Sequence, residues 1–218
     1  MTLAIFDLDD TIINGDCANL WSSEMARLGW VGDGDAFVRQ NDEMMRAYGE
    51  GLLTMDDYMK ATLAPLARRR VVDVRHQIDA FVEQVIEPRI RADARNMIDA
   101  HRQRGDTLLV ISASSAHLVE PIAARVSIKH VLAIDIQTED GVYTGRTSGV
   151  LTYREGKVIR LRAWLEAHDE SLTGASFYSD SRNDLPLLCE VDRPHVVNPD
   201  QVLAAHAKEC GWPVLTWH

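Results

Sequence analysis

Six short apolar runs, each cut off by polar residues, constrain the fold of this chain more than any other feature. They are Leu3–Phe6, Thr107–Ile111, Val131–Ile134, Ala175–Tyr178, His195–Val197 and Pro213–Leu215. A run this short, without polar alternation, is a strand buried on both faces. Between the runs, the spacing predicts helices over roughly 115–126, 157–168, 183–191 and 200–210. Gly105, after Arg104, ends a further helix ahead of the second run. Strands and helices in alternation specify a doubly wound α/β fold, a parallel sheet covered on both sides. One stretch departs from the pattern: between Ile136 and Thr147, Asp140-Gly141 separates two alternating segments and predicts a hairpin.

From residue 16 to 87 the alternation stops. This stretch carries four helical patterns, no strand pattern and five methionines, Met25, Met44, Met45, Met55 and Met59. Thr54 with Asp57 forms a capping box at the start of one helix. The expected organisation is an α/β core from 1–15 and 88–218, with a helical cap inserted at 16–87. Open α/β sheets bind ligands at the carboxyl ends of their strands. An insertion leaving the end of the first strand hangs over that place as a lid; the alternative is that it only enlarges the core.

The length, 218 residues, suits one large or two small domains, and 46% apolar content rules out wholesale disorder. The net charge of −10 repels a phosphate backbone, which excludes nucleic acid as a main partner but not a small anion in a locally positive pocket. No apolar run nears the roughly 20 residues that span a bilayer, so no membrane is expected as partner. The start is interrupted by carboxylates too soon for a secretory signal. Cys17, Cys189 and Cys210 lie far apart with no metal or redox spacing, and the eight histidines show none either. The expected setting is a reduced cytoplasm.

The chemistry-bearing residues gather at predicted strand ends. Asp7, Asp9 and Asp10 crowd the end of the first strand, followed by Thr11. Carboxylates this close are costly unless something positive lies among them. They form either a solvated acidic turn or a site for a hard divalent cation. Ser179-Asp180-Ser181-Arg182-Asn183-Asp184 follows another strand and converges on the first cluster only in a parallel sheet. Asn183 and Asp184 also suit a helix N-terminus. Ser112-Ala113-Ser114-Ser115 follows the strand ending at Ile111, as an anion site or as a plain cap. Lys157 opens a helix, where a positive charge opposes the dipole; it has another task there or is simply exposed.

Together Phe6-Asp7-Leu8-Asp9-Asp10-Thr11, Val110-Ile111-Ser112, Gly156-Lys157 and the Tyr178–Asp184 block resemble the haloacid dehalogenase superfamily of phosphohydrolases, in its phosphoserine phosphatase-like branch. The resemblance covers essentially the whole chain and implies a Rossmann-like core with a cap. It implies that Asp7 is a nucleophile forming an aspartyl-phosphate and that Asp9 is general acid and then base. It implies Mg²⁺ held by Asp7, the Asp9 carbonyl and Asp180. Ser112, Ala113 and Lys157 would bind phosphate, with Asn183 near substrate, and Asp184 and Thr11 behind these groups. An aspartate at position 9 is similar to phosphatases and phosphomutases, and unlike dehalogenases, transport ATPases or receiver domains.

For substrate, the resemblance places Asp16 where phosphoserine phosphatases carry a glutamate for the amino group; Asp16 is equally a helix N-cap. No cap cation matches the family's carboxylate-binding arginine, although Arg46, Lys60 and Arg68–Arg70 are candidates. The Asp16–Trp21 pattern, Arg154–Lys157 and the Tyr178–Leu188 block resemble a subgroup that includes bacterial histidinol-phosphatases. The implied substrate is a small phosphate ester, histidinol phosphate or a phosphoserine-like amino-alcohol phosphate. A phosphotransferase or phosphomutase, or a spent phosphate-binding regulator, are the alternatives, and the chain is expected as monomer or homodimer. Trp21, Trp30, Phe37, Met44, Met45 and Tyr48 either line an apolar pocket or pack the cap, and Cys17 is expected to be buried.

Overall fold

The computed structural model describes residues 2–49 and 52–218, with only the backbone of Tyr48 and Gly49. Seven strands form one sheet: β1 (Leu3–Phe6), β2 (Thr107–Ser115), β3 (His130–Glu139), β4 (Val142–Ser148), β5 (Ser176–Ser179), β6 (Arg193–Val197) and β7 (Val214–Leu215). Their order is β4-β3-β2-β1-β5-β6-β7. Every neighbouring pair is parallel except the β3–β4 hairpin. Its turn is Asp140-Gly141, both with positive φ, which is what a two-residue hairpin loop demands.

The central strand explains the layers. All of β1 is sealed from solvent, and its side chains alternate between two cores. Ala4 and Phe6 pack with α5 (Ala92–Gln103) and α6 (Ala116–Arg125). Leu3 and Ile5 pack with α7 (Glu155–His168), α8 (Leu185–Leu188) and α9 (Gln201–Cys210). Helices therefore cover both faces of the expected Rossmann-like sheet. The chain winds one way from β1 to β2 and β3, then returns to add β5 on the other side. This reversal leaves a crevice beyond the ends of β1 and β5, where such folds bind ligands.

Two elements differ from the sequence reading. β2 runs on through the serines after Ile111 to Ser115, with a register shift between Ile111 and Ser115. Ser115, its hydroxyl making no capping bond, is the N-cap of α6, which starts at Ala116. The helix expected over 183–191 shortens to a 3-10 turn, Arg182–Asp184, and α8, because Pro186 lacks the N–H that a continuous helix requires.

Between β1 and α5 lie α1 (Cys17–Arg27), α2 (Gly34–Gly49), α3 (Met55–Leu63) and α4 (Val71–Phe81). Thr54 Oγ1 accepts from the Asp57 N–H at 3.2 Å, which forms the N-cap half of the expected capping box, and donates to Asp57 Oδ2 at 2.8 Å, so the carboxylate meets the hydroxyl. The outgoing and returning chains pair with each other, the Asn14 N–H donating to Arg89 O and the Arg91 N–H to Ile12 O, both at 2.9 Å. The inserted block also borrows the hairpin. The Arg68 N–H donates to Tyr143 O, the Tyr143 N–H to Arg69 O and the Val71 N–H to Gly141 O, each at 2.9 Å. No helix among the described residues is long and apolar enough to cross a membrane.

Candidate active site

The chain turns immediately after β1. Asp7 is still extended (φ −69°, ψ 165°), Leu8–Ile12 forms a wide turn, and Asp10 takes a left-handed conformation at φ 51°. This turn aims Asp7 and Asp9 at one place from different directions. The Asp10 carboxylate closes the loop instead, its Oδ1 accepting from the Gly15 N–H at 3.0 Å.

Asp7 meets a buried cation. Lys157 Nζ donates to Asp7 Oδ1 at 2.7 Å and to Asp184 Oδ2 at 2.8 Å, and Lys157 is only 2% exposed. Gly156 brings it there: a Cβ at that position would lie 2.0 Å from the Leu151 carbonyl oxygen, so only glycine fits the turn that opens α7. Burial alone would lower the Lys157 pKa, but Asp184 and Asp7 outweigh it and hold the ammonium above its usual range. Asp184 is held from behind by Ser179 Oγ, which donates to its Oδ2 at 2.7 Å. Burial pushes Asp7 above the usual carboxylate range against the pull of Lys157.

Asp9 is held by two donors: the Cys17 N–H to Oδ1 and Ser114 Oγ to Oδ2, both at 2.7 Å. Burial first, then Asp16 and Asp7, push its pKa up to about 7. Asp16 caps α1, its Oδ1 accepting from the Asn19 N–H at 2.8 Å, while it also faces the cavity. The cap reading of Asp16 is therefore realised, without removing it from the site. Cys17 is sealed in, and burial raises its thiol pKa well above the ordinary value, so it offers no nucleophile.

Asp180 stands at the end of β5, its Oδ1 accepting from Thr11 Oγ1 at 3.2 Å. Burial and then the neighbouring Asp7, Asp184 and Asp10 raise its pKa well above the carboxylate norm. Those repulsions mark a place short of positive charge, and the donors are all hard oxygens. Among the described residues no three His, Cys, Asp or Glu side chains already form a metal cage. Two carboxylates, Asp7 and Asp180, completed by a backbone carbonyl and waters, nonetheless fit Mg²⁺, which keeps much of its hydration.

These groups open on one cavity of about 210 Å³. Asp7, Asp9, Asp16, Ala113, Lys157, Asp180, Asn183 and Asp184 line it, as expected residues of the site. Asn183 Oδ1 accepts from Tyr153 Oη and Arg154 Nε, both at 3.2 Å. Ser112 and Thr11 do not line it. Ser112 is sealed within β2, its Oγ accepting from the Ser114 N–H at 3.0 Å, because the strand continues where a helix start was expected. Ser114 and Ser115 take the wall.

Opposite the carboxylates the cavity is closed by α1 and α3. Trp21 and Met45 line it as one reading had it, whereas Trp30, Phe37 and Met44 pack against the core instead. The side chain of Tyr48 lies outside the described residues. Met25, Met55, Tyr58 and Met59 share this wall with Ala18, Ser22, Thr62 and Leu63, and His117 joins it from α6. Helical spacing on α3 was the available signal, but it is shared by packing residues. None of Arg46, Lys60 or Arg68–Arg70 reaches the cavity: Arg69 stacks on Trp30, and Arg70 pairs with Asp73.

The haloacid dehalogenase-like hydrolase family model matches residues 4–188, and the chain belongs to that family. Within it, the chain is a phosphatase. It is 39% identical over 219 residues to a histidinol-phosphatase of Neisseria meningitidis serogroup C (strain 8013), covering 99% of this chain and 98% of that protein. The crystal structure of a protein with unknown function from Bordetella pertussis Tohama I superposes with a TM-score of 0.93 at 35% identity, covering 99% of both chains. A substrate-bound phosphoserine phosphatase superposes with a TM-score of 0.72 at 16% identity, covering 98% of this chain and 92% of that one, a likeness of fold.

Proposed function

We propose that this phosphatase hydrolyses a small amino-alcohol phosphate, with histidinol phosphate the leading candidate, through a phosphoryl group carried on Asp7. The observation that carries the reading is the buried Asp7–Lys157–Asp184 chain with Asp9 pinned across from it. Asp7 attacks phosphorus as the bond to the leaving oxygen breaks. Asp9, with a pKa near 7, is poised to give its proton to the departing alcohol and then take one from water. That water attacks the aspartyl-phosphate, releasing phosphate and restoring Asp7. Lys157 and the backbone at Ala113 hold the phosphoryl oxygens, Ser112 supports that turn from below, and Asn183 borders the substrate. Asp7, Asp180 and the Asp9 carbonyl would hold Mg²⁺, which offsets repulsion between carboxylate and phosphate. Thr11 and Asp184 orient Asp180 and Lys157. Residues 16–87 act as the lid that excludes water.

The substrate reading draws on charge. Among the described residues lining the cavity, Lys157 is the one lysine or arginine, and it is already engaged. A substrate carboxylate would find no free cation in the lining and would face Asp16, which suits an amine. This favours an alcohol bearing an amine and no carboxylate, and it agrees with the histidinol-phosphatase relative. Free thiols at Cys17, Cys189 and Cys210 suit a reducing cytoplasm.

The test ranks kcat/KM for histidinol phosphate, phosphoserine, sugar phosphates and nucleotides in Mg²⁺ and in excess chelator, following free phosphate. Histidinol phosphate should lead, and chelation should silence turnover until Mg²⁺ is restored. A flat ranking would remove the substrate reading. Full activity in chelator would remove the metal, and a phosphorylated acceptor in place of free phosphate would indicate a transferase.

A further inference from the structure

Six buried side-chain nitrogen or oxygen atoms lack a hydrogen-bond partner among the described residues. Three of them belong to residues of the cavity wall: Trp21 Nε1 and both ring nitrogens of His117. Buried polar atoms in folded proteins are overwhelmingly paired, so a group of orphans around one cavity calls for an occupant. None of the steps assigned to the carboxylates uses either residue.

His117 is the more informative. It is the second residue of α6, just past the Ser114–Ser115 end of β2 that anchors Asp9. Its ring lies 6.0 Å from that of Tyr143, centroid to centroid. Burial pushes its pKa down to about 3, with no charged group contributing. The imidazole is therefore neutral, with one nitrogen donating and the other accepting. An ammonium or carboxylate on the ligand would have no countercharge at this ring. An uncharged polar group that both donates and accepts would satisfy it. Met25, Met55 and Met59 on the same wall offer polarizable surface to a flat ring.

We propose that His117 is the residue that reads the leaving alcohol, exchanging a hydrogen bond with a neutral azole ring carried at its far end, with Trp21 Nε1–H as an additional donor. The proposal rests on the phosphatase reading and names the part of the alcohol that is selected. The ring nitrogens find in the substrate the partners that the protein withholds. A ring of the same size without nitrogens leaves His117 buried and unpaired, which is the basis of strong discrimination between near-isosteric ligands.

The test compares the phosphate esters of imidazolylethanol and thienylethanol, which carry five-membered aromatic rings on the same two-carbon linker, with and without ring nitrogens. The wild-type protein should favour the imidazolyl ester by about tenfold to a hundredfold in kcat/KM. His117→Phe, which keeps the bulk and removes both nitrogens, should bring that ratio to within about threefold of unity. His117→Gln, which retains a donor and an acceptor, should keep part of the preference. A wild-type ratio near unity, or an unchanged ratio in His117→Phe, overturns the proposal. Calorimetric binding of both esters to the Asp7→Asn variant, with and without His117→Phe, reads the same ratio without turnover. If histidinol phosphate proves inert while the pair still separates, the substrate reading fails and the role of His117 stands. Brisk histidinol phosphate turnover with the ratio unmoved by His117→Phe sinks the role of His117 alone.

Discussion

The two walls of the cavity are built by opposite means. On the core side each carboxylate to which the proposal gives a role has a partner: Asp7 and Asp184 share Lys157, Asp9 takes Ser114 and the Cys17 N–H, and Asp180 takes Thr11. On the cap side the wall is mainly methionine and aromatic rings. The Ser22 and Thr62 hydroxyls there bond backbone carbonyls, whereas Trp21 Nε1 and the ring nitrogens of the facing His117 have no partner among the described residues. The difference teaches a division of labour. Moving a phosphoryl group needs charges that do not reorganise, and a satisfied low-dielectric network supplies them. Choosing an alcohol needs shape and a few unspent hydrogen bonds, which soft side chains and orphan nitrogens provide.

The sharpest way to break this contrast is Asp7→Asn. Turnover of a generic aryl phosphate in Mg²⁺ should fall by about 10⁴-fold or more, with the thermal midpoint little changed. Unchanged turnover would discard the nucleophile. Asp9→Asn should cost about 10²–10⁴-fold in kcat/KM on alkyl phosphates, and much less on nitrophenyl phosphate, whose leaving group needs no proton; kcat/KM ends at phosphoryl transfer to Asp7 and leaves out the later water step. Equal losses on both would remove Asp9 as the acid.

Lys157→Met tests the network as structure. It leaves the buried carboxylates of Asp7 and Asp184 without their cation, and urea unfolding should register a loss of about 3–5 kcal/mol. On the cap wall, Met59→Ala should raise KM for the preferred ester by about tenfold while changing kcat less. A fall in kcat comparable to that of Asp9→Asn would mean that the two walls are not separable.

The smallest effect concerns acid. Beneath the core wall, His101 bonds Asp106 and the Tyr178 hydroxyl, each at 2.9 Å. Burial lowers the His101 pKa, so below about pH 6.5 the unfolded chain takes up a proton before the folded one does. Burial would raise Asp106, but hydrogen bonds from His101, Thr2 and Arg104 outweigh it and hold the carboxyl low. Its contribution is complete above about pH 4 and is lost below that. The His101 contribution should therefore decline from about pH 6.5 downwards, by at most about 1.4 kcal/mol per pH unit. Asp7 and Asp9, whose carboxyls are raised by burial, pull the whole curve the other way between about pH 7 and 4. The thermal midpoint of His101→Phe minus that of the wild type should rise as the pH falls from about 6.5 to 4.5; a difference that does not move with pH would remove His101 from the acid response.

Much of the core wall was legible because it is encoded by local interruptions of pattern. Carboxylates crowd the end of a fully apolar strand at Asp7–Asp10, and a lysine stands against a helix dipole at Lys157. Each is unfavourable alone and is resolved by the other in the folded chain. The reach of β2 was not legible, since Ser112–Ser115 suits a strand end as well as a helix start. The bulge that continues the strand seals Ser112 and turns Ser114 towards Asp9. On the cap, methionines and aromatics at helical spacing serve a core or a pocket equally. All five of Trp21, Trp30, Phe37, Met44 and Met45 pack into the core, and packing left only Trp21 and Met45 of them bordering the cavity as well. His117 left no signal, because an orphan nitrogen is defined by neighbours that it lacks.

The amino-acid order by itself determined the alternation of strands and helices, the inserted helical block and the carboxylates and lysine at strand and helix ends. Periodicity, breaker residues and charge crowding are local properties, written over a few residues. The tertiary structure decided which helix faces turn inwards, that Asp16 both caps α1 and borders the cavity, and that the segment after α3 pairs with the hairpin edge. It also decided which polar atoms stay unpaired. These depend on what surrounds a residue in space, and only the packed sheet brings positions 7, 9, 117, 157 and 180 to one cavity.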